Sequence, residues 1–286
     1  MSFIVGRLRL YWPLIKSTQT GLLLATGIAG FLSTGTRFTT LTLAALALTL
    51  FLAISGSTIL NMWYDQDIDA KMKRTHKRPL ASGQLGRTEV FGVGMVVSLL
   101  GVGGALLMQP LYGIVVFAGW FFDVIVYTLW LKRRTPWSIL WGGISGAMPI
   151  LAGHALALGR IELTGILLAF SILFWIPTHT LTFSLKFERD YAEAGVPTFP
   201  AAYGEGFTRL MIALSSVLAA AAIVWAGILV GISAGWLRLM AVLTAGLLLL
   251  AFATFRPGSE RLNFGLFKYA SIYMLAAMII LALRGV

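Results

Sequence analysis

The chain has 286 residues, 58% of them hydrophobic and only 12% charged, with a mean hydropathy of +0.86; these values exclude a soluble globular protein and point to the integral membrane class. A net charge of +11 does not imply nucleic acid, because the basic residues are dispersed among loops between apolar runs and have no soluble platform on which to form a groove. The absence of cysteine excludes structural disulfides, thiolate zinc sites, iron–sulfur clusters and thioether haem attachment.

A transmembrane span needs about 20 residues. The apolar runs predict nine helices, at 17–36, 40–64, 89–109, 111–131, 138–159, 163–185, 209–231, 235–255 and 264–284, in one all-α polytopic membrane domain covering 1–286. Residues 1–16 carry Arg7, Arg9 and Lys16 without a small-residue cleavage site, so the first run is expected to be a retained helix. With a cytoplasmic N-terminus, 18 of the 22 Lys and Arg residues fall on the cytoplasmic side, leaving Arg37, Arg160, Arg238 and Arg284 on the other. This positive-inside bias predicts a multi-pass cell-membrane protein whose long loops, 65–88 and 186–208, are cytoplasmic and whose C-terminus is outside. Those loops, with Glu89 beside the first, hold eight of the 11 carboxylates, which confines polar chemistry to one membrane face. Glycines inside the spans, Gly101, Gly103, Gly104, Gly142, Gly143 and Gly146, are expected at close helix contacts. The segment from Arg256 to Arg261 reads as a cytoplasmic turn.

The strongest chemical signal closes the second span. Asn61, Asp65 and Asp69 recur every four residues, which on a helix stacks them about 6 Å apart on nearly one face. Oxygen-only ligands suit a hard cation such as Mg²⁺, which keeps several waters and shares its remaining positions with substrate phosphates. Lys71, Lys73, Arg74, Lys77 and Arg78 follow at once and supply cations for diphosphate oxygens. The competing reading is a solvated loop that obeys topology rules.

The residues also resemble the UbiA superfamily of intramembrane prenyltransferases. The first motif runs from Asn61 through Asp69 to Arg74-Thr75, Arg78-Pro79-Leu80 and Gly83. A second block comprises Tyr127-Thr128, Leu131-Lys132-Arg133, Thr135, Gly142-Gly143, Gly146-Ala147, Pro149 and Gly153. A third runs from Trp175, Pro177 and His179 to Asp190-Tyr191, Ala194-Gly195-Val196-Pro197 and Pro200. The second and third blocks are similar to the haem-farnesylating branch, although Pro149-Ile150 and Thr178-His179-Thr180-Leu181 depart from that branch's pattern. The resemblance implies nine helices around a central cavity and farnesyl transfer from farnesyl diphosphate to a vinyl group of haem b. It implies Asn61, Asp65, Asp69 and Asp190 as catalytic, Mg²⁺-binding residues, with Asp69 either supporting the metal or orienting Arg74. It also implies Arg74, Lys77, Arg78, Lys132, Arg133 and Lys186 as substrate-binding cations.

Four further residues are candidates for the substrate cavity. His179 and Asp123 lie deep in predicted spans, where a polar group needs a partner or a function. His179 is either an acceptor contact or a buried imidazole bonded to a neighbouring helix, and Asp123 either faces the cavity or is a protonated acid bonded to another helix. Tyr127 and Tyr191 are expected to line the cavity or anchor at the interface. The expected partners are a prenyl diphosphate, haem b or another lipophilic acceptor, and membrane lipids, but no nucleic acid. Two alternatives remain, a UbiA-type enzyme for a quinone precursor, carotenoid or glycerol lipid, and a transporter.

Overall fold

In hydrocarbon a spanning segment must satisfy its own backbone hydrogen bonds, so long apolar runs become helices. A computed structural model, which describes residues 2–255 and 260–283, contains no strand among those residues. Its helices are α1 (Ser2–Tyr11), α2 (Ser17–Leu32), α3 (Thr40–Tyr64), α4 (Gln66–Lys71), α5 (Arg87–Met108), α6 (Pro110–Phe121), α7 (Ser138–Leu158), α8 (Leu163–Lys186), α9 (Glu188–Glu193), α10 (Phe199–Val230), α11 (Ala234–Ala253) and α12 (Glu260–Ala282). A π-helical stretch, Phe122–Leu131, continues α6 without a break.

Among the described residues eight helices are long and apolar enough to cross a membrane: α3, α5, α6 with its π-helical continuation, α7, α8, α10, α11 and α12. The run expected at 17–36 forms the 16-residue α2, about 24 Å long. It stops at Leu32 because the chain turns through Gly35 at φ 69°. The span expected at 209–231 starts earlier, at Phe199, where Pro200 occupies the first turn and needs no amide partner. Gly204, at φ 80° and ψ 166°, bends it. Arg256, Pro257, Gly258, Ser259 and Arg284, which entered the turn and topology expectations, lie outside the described residues.

Neighbours in sequence pack as neighbours in space, and α12 returns to α2 to close the bundle, while α2 also crosses to α7. That crossing is a backbone contact, since a Cβ on Gly153 would lie 1.9 Å from the Gly27 carbonyl oxygen. A Cβ on Gly101 would likewise lie 2.2 Å from the Ala53 amide nitrogen, whereas one on Gly103 would meet nothing within 4 Å. The α2–α7 contact joins the bundle near the end of α2 remote from Lys16. At the Lys16 end the interior is polar, and both long loops meet there through a small apolar cluster of Ile68, Met72, Ala194 and Val196 with Tyr191 packed against it.

Candidate active site

The first acidic motif is a bent helix rather than a continuous one. α3 ends at Tyr64, and Asp65 (φ −87°, ψ 9°) joins it to α4. The four-residue spacing survives the bend, because the Asp65 amide donates to the Asn61 carbonyl at 3.0 Å and the Asp69 amide to the Asp65 carbonyl at 2.8 Å. All three side chains point inward, at 4%, 3% and 6% exposure for Asn61, Asp65 and Asp69.

Cations from three other segments meet them. Lys132, just beyond the π-helix, donates to Asp65 Oδ2, and Arg133 approaches Oδ1 at 4.0 Å. Asp65 Oδ1 is buried without a hydrogen-bond partner. Arg78 Nη1 donates to both oxygens of Asp69, at 2.8 and 2.7 Å, a charge-assisted pair that fixes the guanidinium beside the buried carboxylate. Asp69 therefore pairs with Arg78 and not with Arg74, which lies over the Phe183 ring. Lys16 donates to Asn61 Oδ1 at 3.0 Å. Asn61 Nδ2 in turn donates to Thr128 Oγ1 at 2.8 Å, Thr128 donates to the Asp123 carbonyl at 2.7 Å, and Ser57 donates to Asp123 Oδ2. Asp123 thus faces the interior, tied to α3.

Charge crowding shows in the titration of the lysines. Burial, together with the neighbouring charges of Lys132 and Arg78, lowers Lys16 from 10.5 to about 8, against a smaller opposing pull from Asp123 and Asp65. Burial also works against charge on Lys132, yet Asp65 beside it, with Tyr127 and Tyr191, holds its pKa above the ordinary lysine range. Toward the surface, the Arg133 guanidinium lowers the Asp67 carboxyl through a bidentate pair at 2.8 and 2.7 Å. Lys16 is the one non-glycine residue with positive φ, 47°, among the described residues. An L-residue held in this region is strained, a feature that recurs at functional sites.

The site therefore gathers Asn61, Asp65, Asp69, Arg78, Asp123, Tyr127, Lys132 and Arg133. The Lys132 ammonium stands 5.7 Å from the Tyr127 ring, and Tyr191 arrives with the second loop. Asp190 is half-buried and its carboxylate has no partner among the described residues. Lys77 is exposed and makes no such contact. Arg74, Lys186 and His179 lie elsewhere, along α8. Reading from sequence treated Lys16 only as a topology charge and assigned no role to Ser57 or the Thr128 hydroxyl; the left-handed turn and the π-helical register that bring them in leave no local signature.

Among the described residues no group of three or more histidine or carboxylate side chains is close enough to hold one ion. Magnesium needs no such cage, because it is commonly held by one or two carboxylates and substrate phosphates. The buried Asp65 Oδ1, which accepts no hydrogen bond, and the open Asp190 carboxylate fit that donor set.

The chain resembles known proteins over nearly its full length. It is 36% identical over 264 residues to the protoheme IX farnesyltransferase of Pyrobaculum neutrophilum, covering 92% of each chain. It is 36% identical over 289 residues to that of Aeropyrum pernix, covering 99% of this chain and 94% of that one. Among solved structures, a digeranylgeranylglyceryl phosphate synthase superposes with a TM-score of 0.80 at 18% identity, covering 98% of both chains. A UbiA homologue from Archaeoglobus fulgidus bound to GPP and Mg²⁺ superposes at 0.73 and 12% identity, covering 96% of this chain and 100% of that one; these two establish likeness of fold. The family model described as the UbiA prenyltransferase family matches residues 22–280, which include both acidic loops and every interior polar group described above except Lys16, and the chain belongs to that family.

Proposed function

We propose that this enzyme transfers a farnesyl group from farnesyl diphosphate to a vinyl group of haem b. The observation that carries the reading is the buried Asp65, with one oxygen free of any hydrogen bond, ringed by Lys16, Arg78, Lys132 and Arg133 at one end of a membrane bundle. In the allylic diphosphate the C1–O bond breaks and its electron pair leaves with the diphosphate. The vinyl terminal carbon then bonds to C1, and water adds at the carbon next to the macrocycle with release of a proton. Fixed cations stabilise the charge that develops on the leaving group, which is the role assigned to Lys132, Lys16, Arg78 and Arg133. Bound at Asp65 and Asp190, Mg²⁺ would supply further Lewis-acid stabilisation to the leaving diphosphate. Asn61 positions Lys16, Asp69 positions Arg78, and the apolar bundle keeps water from the allylic cation until the new bond has formed. The relatives named as protoheme IX farnesyltransferases support haem b as acceptor. The Lys and Arg bias toward the Lys16 end supports placing the site, with the N-terminus, on the cytoplasmic face and the far end of α12 outside.

The test incubates purified protein with farnesyl diphosphate, Mg²⁺ and separately haem b, 4-hydroxybenzoate or a prenylglyceryl phosphate. Prenylation of haem b, lost on chelation and in Asp65→Ala, is expected. Prenylation of only the phenolic or lipid acceptor would overturn the haem assignment and leave prenyl transfer standing.

A further inference from the structure

A second group of cations stands apart from the first. Along α8, Trp175, His179 and Phe183 recur every four residues and so share a face, and Phe187 caps the helix at the next such position. α12 runs beside them with Phe264, Phe267 and Ser271. The rings form a continuous column. The His179 imidazole lies between Trp175 (4.9 Å) and Phe267 (4.4 Å), nearly parallel to both. Phe183 meets Phe267 at 5.5 Å and Phe187 at 4.5 Å, and Phe264 stacks with Phe267 at 5.7 Å. Hydrogen bonds hold the two helices in this register, from Trp175 Nε1 to the Ala270 carbonyl and from Asn263 Nδ2 to the Thr182 carbonyl, both at 2.8 Å. Ser271 Oγ is 3.3 Å from His179 Nδ1.

Three cations crown the column near the Lys16 end of the bundle. The Arg74 guanidinium lies over Phe183 at 4.9 Å and near Phe187 at 5.5 Å. The Lys186 ammonium lies over Phe264 at 3.2 Å, and that of Lys268 is 4.8 Å from the same ring. None of the three has an ion pair among the described residues, whereas Arg78, Lys132 and Arg133 all do. Lys186 is in the last turn of α8, where the helix dipole favours a cation. Lys268 has no such reason. It stands in the third turn of a membrane helix and folds back toward the polar end, so two ammonium groups crowd one ring with no counter-ion among the described residues.

Resting on the proposal that haem b is the acceptor, we infer that this column is the acceptor wall. The macrocycle lies along the Phe183–Phe267–His179 rings, and its two propionates are held by Arg74, Lys186 and Lys268, separate from the diphosphate cations around Asp65. A flat aromatic body with two carboxylates on one edge matches a ring column crowned by unpaired cations in both shape and charge.

The test compares haem b with its dimethyl ester, in which both propionates are neutral, on the full-length enzyme and on Lys268→Gln, Lys268→Arg and Lys186→Gln. Wild-type turnover of haem b is scored first, and its failure refutes the function and not the geometry of the wall. With turnover present, each Gln variant is expected to raise KM for haem b about tenfold, the size of one lost charge-assisted hydrogen bond. KM for farnesyl diphosphate should stay within about twofold, and Lys268→Arg should restore haem affinity. The ester should bind wild type and Gln variants alike, by the same ordering in a Soret absorbance titration. An unchanged KM for haem b, a parallel rise in KM for farnesyl diphosphate, or an ester penalty undiminished in the variants overturns the inference.

Discussion

Substituting Asp65 by Asn separates the structural from the chemical role of the central ion pair. The side chains of Asp65 and Lys132 are 5% and 16% exposed, so the pair is largely desolvated. At contact distance with an effective dielectric near 20, two unit charges attract by about 4 kcal/mol. Removing one partner of a buried pair costs about 3–5 kcal/mol, because the other charge remains buried. Asp65→Asn is therefore expected to destabilise the protein by about 3 kcal/mol and to reduce prenylation at least about 100-fold. Lys132→Met added to it removes the stranded ammonium and should recover about 2 kcal/mol or more of that loss, as coupling in a double-mutant cycle. Activity should not return, since the double variant still lacks the carboxylate and has also lost a diphosphate cation. Unfolding in detergent micelles reads the first quantity and steady-state farnesyl transfer the second. Recovery of activity along with stability would refute the argument, because it would make Asp65 merely the counter-ion of Lys132.

Three further outcomes follow from the geometry. Gly153→Leu should lower stability by about 1–3 kcal/mol through overpacking against the Gly27 carbonyl, whereas Gly103→Ala, with nothing within 4 Å, should be neutral or slightly stabilising in the same thermal unfolding assay. Arg78→Met should cut kcat/KM about tenfold or more, since it removes the guanidinium that Asp69 holds through Nη1 and with it one charge-assisted contact to the diphosphate; wild-type kinetics in this variant would deny Arg78 its positioned role. With Lys16 lowered from 10.5 to about 8, the folded chain binds fewer protons than the unfolded chain between those values, so this group's unfavourable contribution is full below pH 8 and relieved as pH rises toward 10.5. A bound diphosphate favours charged Lys16, so above pH 8 its binding should take up a proton and weaken with rising pH. Calorimetry in buffers of different ionisation enthalpy measures that uptake, which Lys16→Met should abolish.

Sequence alone determined the class, the span positions to within a few residues for most helices, and the meeting of Asp65, Lys132 and Tyr191 at one end of the bundle. Those features come from composition, from runs long enough to cross hydrocarbon and from motifs a few residues long, all local in the chain. Only the tertiary structure decided the partners. Asp69 pairs with Arg78 rather than Arg74 because the turn after α4 carries Arg74 out toward Phe183 on α8 and Phe187 at its end. The π-helix shifts the register of Phe122–Leu131, so that Thr128 meets Asn61 and Lys132 reaches Asp65, 67 positions earlier in the chain. Lys16 becomes a site residue through a left-handed turn that its neighbours do not announce. Lys268, in a helix that only has to be apolar enough to insert, meets Lys186 because α12 packs antiparallel to α8. Such pairings depend on helix rotation and crossing, which side-chain packing between distant segments sets and which no local periodicity encodes.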